Sequence, residues 1–235
     1  MGGWLMAARR RSALAVAAEA AAALDDEGRD ASGKGAIRQA NEALILGAGE
    51  RVFARAGFNG ATMAAIADEA GLPKANLHYY FGSKAELYHA VLARTLRDWL
   101  VPMDGLEPEA DPGQALGTYI RAKMALGFER PDASRVFANE LLHGAPVLGE
   151  LLRTDLRSLV RRKAAVIDGW VADGRMAAVD AVHLFFTIWA ATQTYADFDL
   201  QVRAVLGKEE LSARDHARAT EHVVSLILRG CGLVS

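Results

Sequence analysis

Residues 62–84, TMAAIADEAGLPKANLHYYFGSK, decide the fold. Met63, Ile66, Ala67 and Ala70 fall at i, i+3, i+4 and i+7, the spacing of one buried helix stripe, and Thr62 stands where an N-cap hydroxyl belongs. Gly71 ends that helix. Pro73 suits the first turn of the next, where a backbone N–H has no intrahelical partner. In this second helix Leu77 and Phe81 lie four apart and turn inward, so the opposite face carries Ala75, Asn76 and Tyr79, flanked by Lys74 and His78. Ser83-Lys84-Ala85-Glu86 has the form of a capping box that opens a third helix. Two short helices broken by glycine, with a polar face on the second, predict a helix-turn-helix unit.

The chemistry of that face suits duplex DNA. An Asn amide matches an adenine edge bidentately, Lys reaches guanine or phosphate, and a Tyr hydroxyl holds phosphate. A helix N-terminus at Ser83, with Lys84 beside it, favours an anion as well. The expected DNA-contacting set is Thr62, Pro73, Lys74, Ala75, Asn76, His78, Tyr79 and Lys84. The plainer alternative is a helical pair without function, but such a pair does not need Lys, Asn and two Tyr between positions 74 and 80.

Working outward, residues 85–101 read as a long connecting helix, followed by a Pro- and acid-rich loop to Pro112. Helical patterns follow over 114–129, 133–143, 147–173, 181–206 and 213–229, separated by Gly and Pro breaks. The expected fold is all-α: an N-terminal three-helix helix-turn-helix DNA-binding domain (36–84) and a C-terminal helical bundle (85–235), to which the family resemblance drawn below assigns ligand binding and dimerisation. Residues 1–35 read as a flexible extension, an Ala-rich run followed by a Gly/Asp/Ser stretch. Arg9, Arg10 and Arg11 raise the option of a basic arm in a minor groove, yet five basic residues there meet five acidic ones.

At 235 residues, 51% hydrophobic and 24% charged, the chain has enough apolar material for a sizeable core. The formal net charge of −2 gives no global attraction to nucleic acid. Between Ile37 and Lys84 five basic residues face four acidic ones, so any DNA-binding surface must be a local one. Cys231 is the sole cysteine, which suits a reducing, cytoplasmic setting, and no apolar run has membrane-spanning length.

The stretch from Ile37 to Leu100 resembles the DNA-binding domain of the TetR family of transcription regulators, with Phe53-Ala54-Arg55-Ala56-Gly57-Phe58 closing its first helix and Ile66-Ala67-Asp68-Glu69-Ala70-Gly71 in its second. The family's usual Leu-Tyr-Tyr-His-Phe is replaced by Leu77-His78-Tyr79-Tyr80-Phe81, and Pro73 stands for a Ser. The operator sequence therefore does not transfer from relatives. Farther on, Leu96–Leu100, Pro131–Phe137, His143–Pro146, Ile167–Trp170 and Ile188–Phe198 are similar to the RutR-like, pyrimidine-responsive subgroup.

That resemblance implies a small-molecule effector, with uracil or thymine the leading candidates, bound by Trp99, Asn139, Trp189, Gln193 and Tyr195. Trp189 and Gln193 lie four apart and share a helix face, so an indole covers a flat ring while the amide meets its acceptor–donor–acceptor edge. The competing reading makes Trp189 a core residue and Gln193 a backbone-bonded amide. The family also implies a homodimer on palindromic operator DNA, released as a repressor by its ligand; Val223, Val224, Leu226 and Ile227 are the expected interface. A regulator of an efflux or catabolic operon with an unrelated apolar ligand is the alternative, and a helical-bundle enzyme a distant one. No cofactor or metal is expected: the six histidines have no ligand spacing, and Gly47-Ala48-Gly49 follows no strand and marks a packing site. Arg153, Arg157 and Arg161 read as a solvated face.

Overall fold

The computed structural model describes residues 34–233, so the expectations for the N-terminal extension lie outside the described residues. Helices α1 (Lys34–Gly60), α2 (Met63–Ala70), α3 (Lys74–Tyr80) and α4 (Lys84–Leu100) form the N-terminal part. A 3₁₀ turn (Val101–Gly105) leads to α5 (Pro112–Glu129) and α6 (Pro131–Leu142). A single helical turn (Gly149–Leu151) and a π-helical turn (Leu152–Leu156) open α7 (Arg157–Ala172), and α8 (Ala181–Asp197), α9 (Asp199–Leu206) and α10 (Ala213–Gly230) complete the bundle. The expected helix over 181–206 is two, broken at Phe198, and the expected helix over 147–173 contains the π turn.

The local signals of 62–84 act largely as read. Thr62 Oγ1 accepts from the Ala65 amide at 3.1 Å and caps α2. Gly71 ends α2 in the left-handed region (φ 66°), with Leu72 N donating to Ala67 O and Gly71 N to Asp68 O, the paired bonds of a Schellman stop. Pro73 occupies the N-cap position of α3 without a side-chain capping bond, and the helix proper begins one residue later. Ser83 accepts from the Glu86 amide at 3.2 Å, but the Glu86 carboxylate returns to the Gly82 amide at 3.0 Å, so the reciprocal bond of a capping box is made one residue early. Ile66, Leu77 and Phe81 pack on Ile45, Phe53, Leu87 and Val91 in one buried cluster. Gly49 belongs to the α1–α4 contact: an added Cβ would stand 3.2 Å from the Val91 side chain.

Lys84 departs from its expected role. Its ammonium donates to the carbonyls of Phe58 (2.6 Å) and Ala61 (2.9 Å), reaches that of Asn59 at 3.5 Å, and lies 4.5 Å from the centre of the Phe58 ring. Gly57 breaks α1 there (φ 66°, ψ 175°), so the freed carbonyls of its last turn need donors and Lys84 supplies them. Its three N–H bonds are thus committed inside the fold rather than held out for phosphate.

The C-terminal core is built by Tyr119, Ile120 and Met124 of α5, Val136 and Phe137 of α6, Ile167 and Trp170 of α7, and Phe185 and Ile188 of α8. Val223, Val224 and Ile227 are 4%, 3% and 7% exposed in the protomer itself, which corrects their expected place at a dimer interface. The strongly amphipathic α10 turns that stripe onto α5 and leaves Leu226, 60% exposed, outside.

Lys84→Ala is expected to lower stability by about 1–3 kcal/mol, because it strips the α1 terminus of its donors. Urea unfolding measures this directly. An unchanged midpoint with a shallower salt dependence of DNA binding would return Lys84 to phosphate.

Candidate DNA-reading face and effector cavity

On α3 the residues expected to read DNA do reach the surface. Pro73, Lys74, Ala75, His78 and Tyr79 are exposed, as is Thr62, while Asn76 is half-buried. Tyr79, 75% exposed, meets Tyr80 edge-on at 5.2 Å, and Tyr80 accepts from Asn41 Nδ2 of α1 at 3.2 Å, so the outward Tyr rests on one pinned to the domain. Arg51 and Arg55 both bond Glu69 at 2.6 Å. With Lys84 also engaged, Lys74 remains as the cation of α3 itself.

Farther down α4, Trp99 forms one wall of a cavity of about 80 Å³, with Lys123 from α5, Phe137 and Leu141 from α6, Leu152 and Leu156 from the π turn, and Trp189 and Gln193 from α8. Trp99 and Phe137 meet edge-on at 4.8 Å, and Trp189 Nε1 donates to the buried Tyr119 hydroxyl at 2.7 Å, which fixes the indole plane. The side-chain amide of Gln193 makes no hydrogen bond to another described residue. Three of the five expected ligand residues, Trp99, Trp189 and Gln193, therefore come together.

Asn139 and Tyr195 do not, and both corrections have one cause. Each stands two residues from a cavity residue, Phe137 or Gln193, a rotation of about 200° on an α-helix. Asn139 opens instead on a cleft between α6 and the reader, lined by Phe58, Tyr88 and Glu140. Tyr195 packs against Phe128 at 6.0 Å and lines a groove with α9 and α10.

Lys123 is the residue that the sequence reading missed. It is 4% exposed, and its ammonium lies 4.4 Å from the centre of the Trp99 ring. Burial pulls its pKa down to about 7, with Asp197 acting in the opposite sense. Asp197 is itself raised by burial, and Ser134 Oγ donates to it at 2.5 Å. The signal was present: Leu116, Tyr119, Ile120, Lys123 and Met124 follow the buried period of α5, which puts a lysine on a core position.

Two polar ties join this region to the reader. Arg130, the single residue between α5 and α6, donates from Nε and Nη2 to the Glu50 carboxylate of α1 and from Nη1 to Asp98 of α4. Glu140, 3% exposed, accepts from the Tyr88 hydroxyl at 3.2 Å and from the Val147 and Leu148 amides at 2.6 and 3.1 Å. Burial, and then the Glu140 charge, push the Tyr88 hydroxyl well above the usual tyrosine range.

Lys123→Met is expected to stabilise the protein at pH 6 by about 1–4 kcal/mol, since it removes a charge held in an apolar wall. Below pH 7 folded and unfolded states both hold the proton and the cost of burial is complete. From about 7 towards 10.5 the folded state releases its proton first, wild-type stability rises, and the advantage of the variant shrinks. Urea midpoints at pH 6 and pH 9 check both statements. A variant less stable at pH 6 would make Lys123 a structural cation.

Residues 45–91 match the family described as bacterial regulatory proteins, tetR family, and residues 92–234 match the YcdC-like protein C-terminal region. The HTH-type transcriptional regulator RutR of Escherichia coli (strain K12) is 42% identical over 191 residues, covering 81% of this chain and 90% of that protein. Among solved structures, a TetR-like transcriptional regulator from Rhodococcus sp. RHA1 shares the fold with a TM-score of 0.57 at 21% identity, over 81% of this chain and 94% of that one. The ketosteroid transcriptional regulator KstR2 of Mycobacterium tuberculosis does so with 0.61 at 15%, over the same shares. The chain belongs to the TetR family, and it is a ligand-responsive, DNA-binding transcription regulator of the RutR-like kind.

Proposed function

We propose that this regulator is a cytoplasmic homodimeric repressor that leaves its operator when a single-ring pyrimidine, uracil or thymine, enters the Trp99–Trp189 cavity. The observation that carries the ligand class is the wall itself: two indoles and Phe137 around a free Gln193 amide. Flat aromatic faces suit a planar ring, and an amide offers one donor and one acceptor to an imide edge. The size of the cavity argues in the same direction. A cavity of roughly 150 Å³ accepts benzene, so about 80 Å³ must widen for one ring and is far from holding a fused-ring or long-chain ligand.

Widening supplies the coupling. Phe137 and Leu141 line the cavity from α6, and the same helix carries Glu140, bonded to Tyr88, with Arg130 at its start, bonded to Glu50 and Asp98. A ring that pushes α6 outward therefore pulls on α1 and α4, the elements that hold α2 and α3. Ligand and operator then oppose each other reciprocally. On the DNA side Asn76, Lys74 and Tyr79 make the contacts, Asn76 with a base edge. For the dimer, α8, α9, α10 and the break at Phe198 expose Phe186, Phe198, Leu200, Val205 and Leu206 along with Leu226, apolar surface of the kind that a second copy covers. Light scattering reads this as twice the chain mass.

Operator duplex selected from a random-sequence pool provides the test. Asn76→Ala is expected to lose about 1–3 kcal/mol of preference for that sequence over scrambled DNA; full discrimination in the variant would take Asn76 out of base reading. Uracil or thymine is expected to release the wild type from the operator. Gln193→Leu keeps the volume but strands the polar edge of the ring, so release should need about 10–100-fold more pyrimidine. Wild-type protein that holds its operator in saturating uracil and thymine would end the pyrimidine reading.

A further inference from the structure

We propose that Lys123 is the effector's polar anchor, and that the effector is a planar ring presenting an electron-rich, anionic or acidic-imide oxygen to its Nζ. The inference rests on the reading of the Trp99–Trp189 cavity as the effector site, and it adds the charge character that the ligand must have.

Three observations meet at this side chain. Lys123 lines the cavity while being 4% exposed, so its side chain is largely withdrawn from bulk solvent. The Trp99 ring holds the ammonium from one side at 4.4 Å, yet that contact uses none of its N–H bonds. Among the described residues no acceptor lies within hydrogen-bonding distance of Nζ; Asp197 acts on it only through its field and is engaged by Ser134. A lysine elsewhere in the same bundle shows the contrast. Lys163 of α7 is also buried, but its ammonium reaches the carbonyl of Leu106 at 3.0 Å and the carboxylate of Glu107 at 2.8 Å. Lys163 thus finds acceptors within the fold, whereas Lys123 has the Trp99 ring and no acceptor among the described residues.

The neighbouring polar group completes the recognition. Gln193 offers a neutral donor and acceptor, whereas Lys123 as its ammonium offers donors alone. A ring gripped by both carries an oxygen at the Lys123 end whose negative charge strengthens that bond, as charge-assisted hydrogen bonds require. Delocalised imides meet this demand, and fully ionised ring oxygens meet it better. A hydrocarbon ligand would leave both groups unpaired and is disfavoured by the same argument.

Calorimetric titration of the full chain with uracil and with barbiturate, an anionic ring of nearly the same shape, tests the anchor. The wild type is expected to bind both at one site per chain, with barbiturate the tighter. Lys123→Met is expected to lose about 10–100-fold in affinity and to lose the preference for barbiturate, while melting no lower than the wild type. That combination separates an anchor from a structural lysine, whose removal would lower the melting point. A Lys123→Met protein that binds both rings as the wild type does overturns the anchor and leaves the cavity reading in place. A wild type that binds barbiturate and ignores uracil upholds the anchor and removes the uracil reading. A wild type that binds neither overturns both.

Discussion

The tie from Arg130 to Glu50 and Asp98 fastens the α5–α6 junction to α1 and α4, and the proposed coupling depends on it. Glu50 belongs to α1, Asp98 to α4, and Arg130 joins α5 to α6, so one guanidinium gathers four helices. The planar fork of Arg meets the Glu50 carboxylate with two nitrogens, a geometry that lysine does not reproduce. Both partners are largely withdrawn from water, the Glu50 side chain at 7% exposure and Arg130 at 20%, so neither end can be released without leaving a charge stranded. An element tied in this way moves with its neighbours or not at all.

Helix α6 inherits that property. It carries Phe137 and Leu141 at the cavity and, between them in sequence, Glu140, whose carboxylate receives one hydroxyl and two amides. All three side chains stand within five residues of one helix. In the proposed mechanism a change in cavity volume passes to the reader through this one helix, without a chain of separate side-chain moves. Packed helices have discrete arrangements rather than a continuum, which suits a regulator with two states.

The cavity also shows where stability and function part. An apolar wall would be more stable if Lys123 were methionine and Gln193 leucine, yet the chain places a cation and an amide there without hydrogen-bond partners among the described residues. Their cost falls on the folded state alone, and a ligand that satisfies them recovers it on binding. The π turn over Leu152–Leu156 belongs to the same wall, and such turns recur where a helix is shaped around a site.

What the sequence determined by itself was whatever depends on near neighbours along the chain. The Thr62 cap, the Gly71 stop, the inward pair Leu77 and Phe81, and the shared face of Trp189 and Gln193 all follow from helical period and capping chemistry within a few residues. Asn139 and Tyr195 were misplaced although the period that separates them from Phe137 and Gln193 is just as local; resemblance of segments carried them where helix geometry does not. Tertiary structure decided the partners of long side chains. Lys84 turned inward because a broken α1, distant by more than twenty residues, left carbonyls without donors. Val223, Val224 and Ile227 turned inward because α5 offered them a groove, and apolar character alone cannot tell a core from an interface. Lys123 acquired meaning only when α4, α6 and α8 closed around it. A charge is read as solvated or buried from what stands opposite, and that is set by packing between elements far apart in the chain.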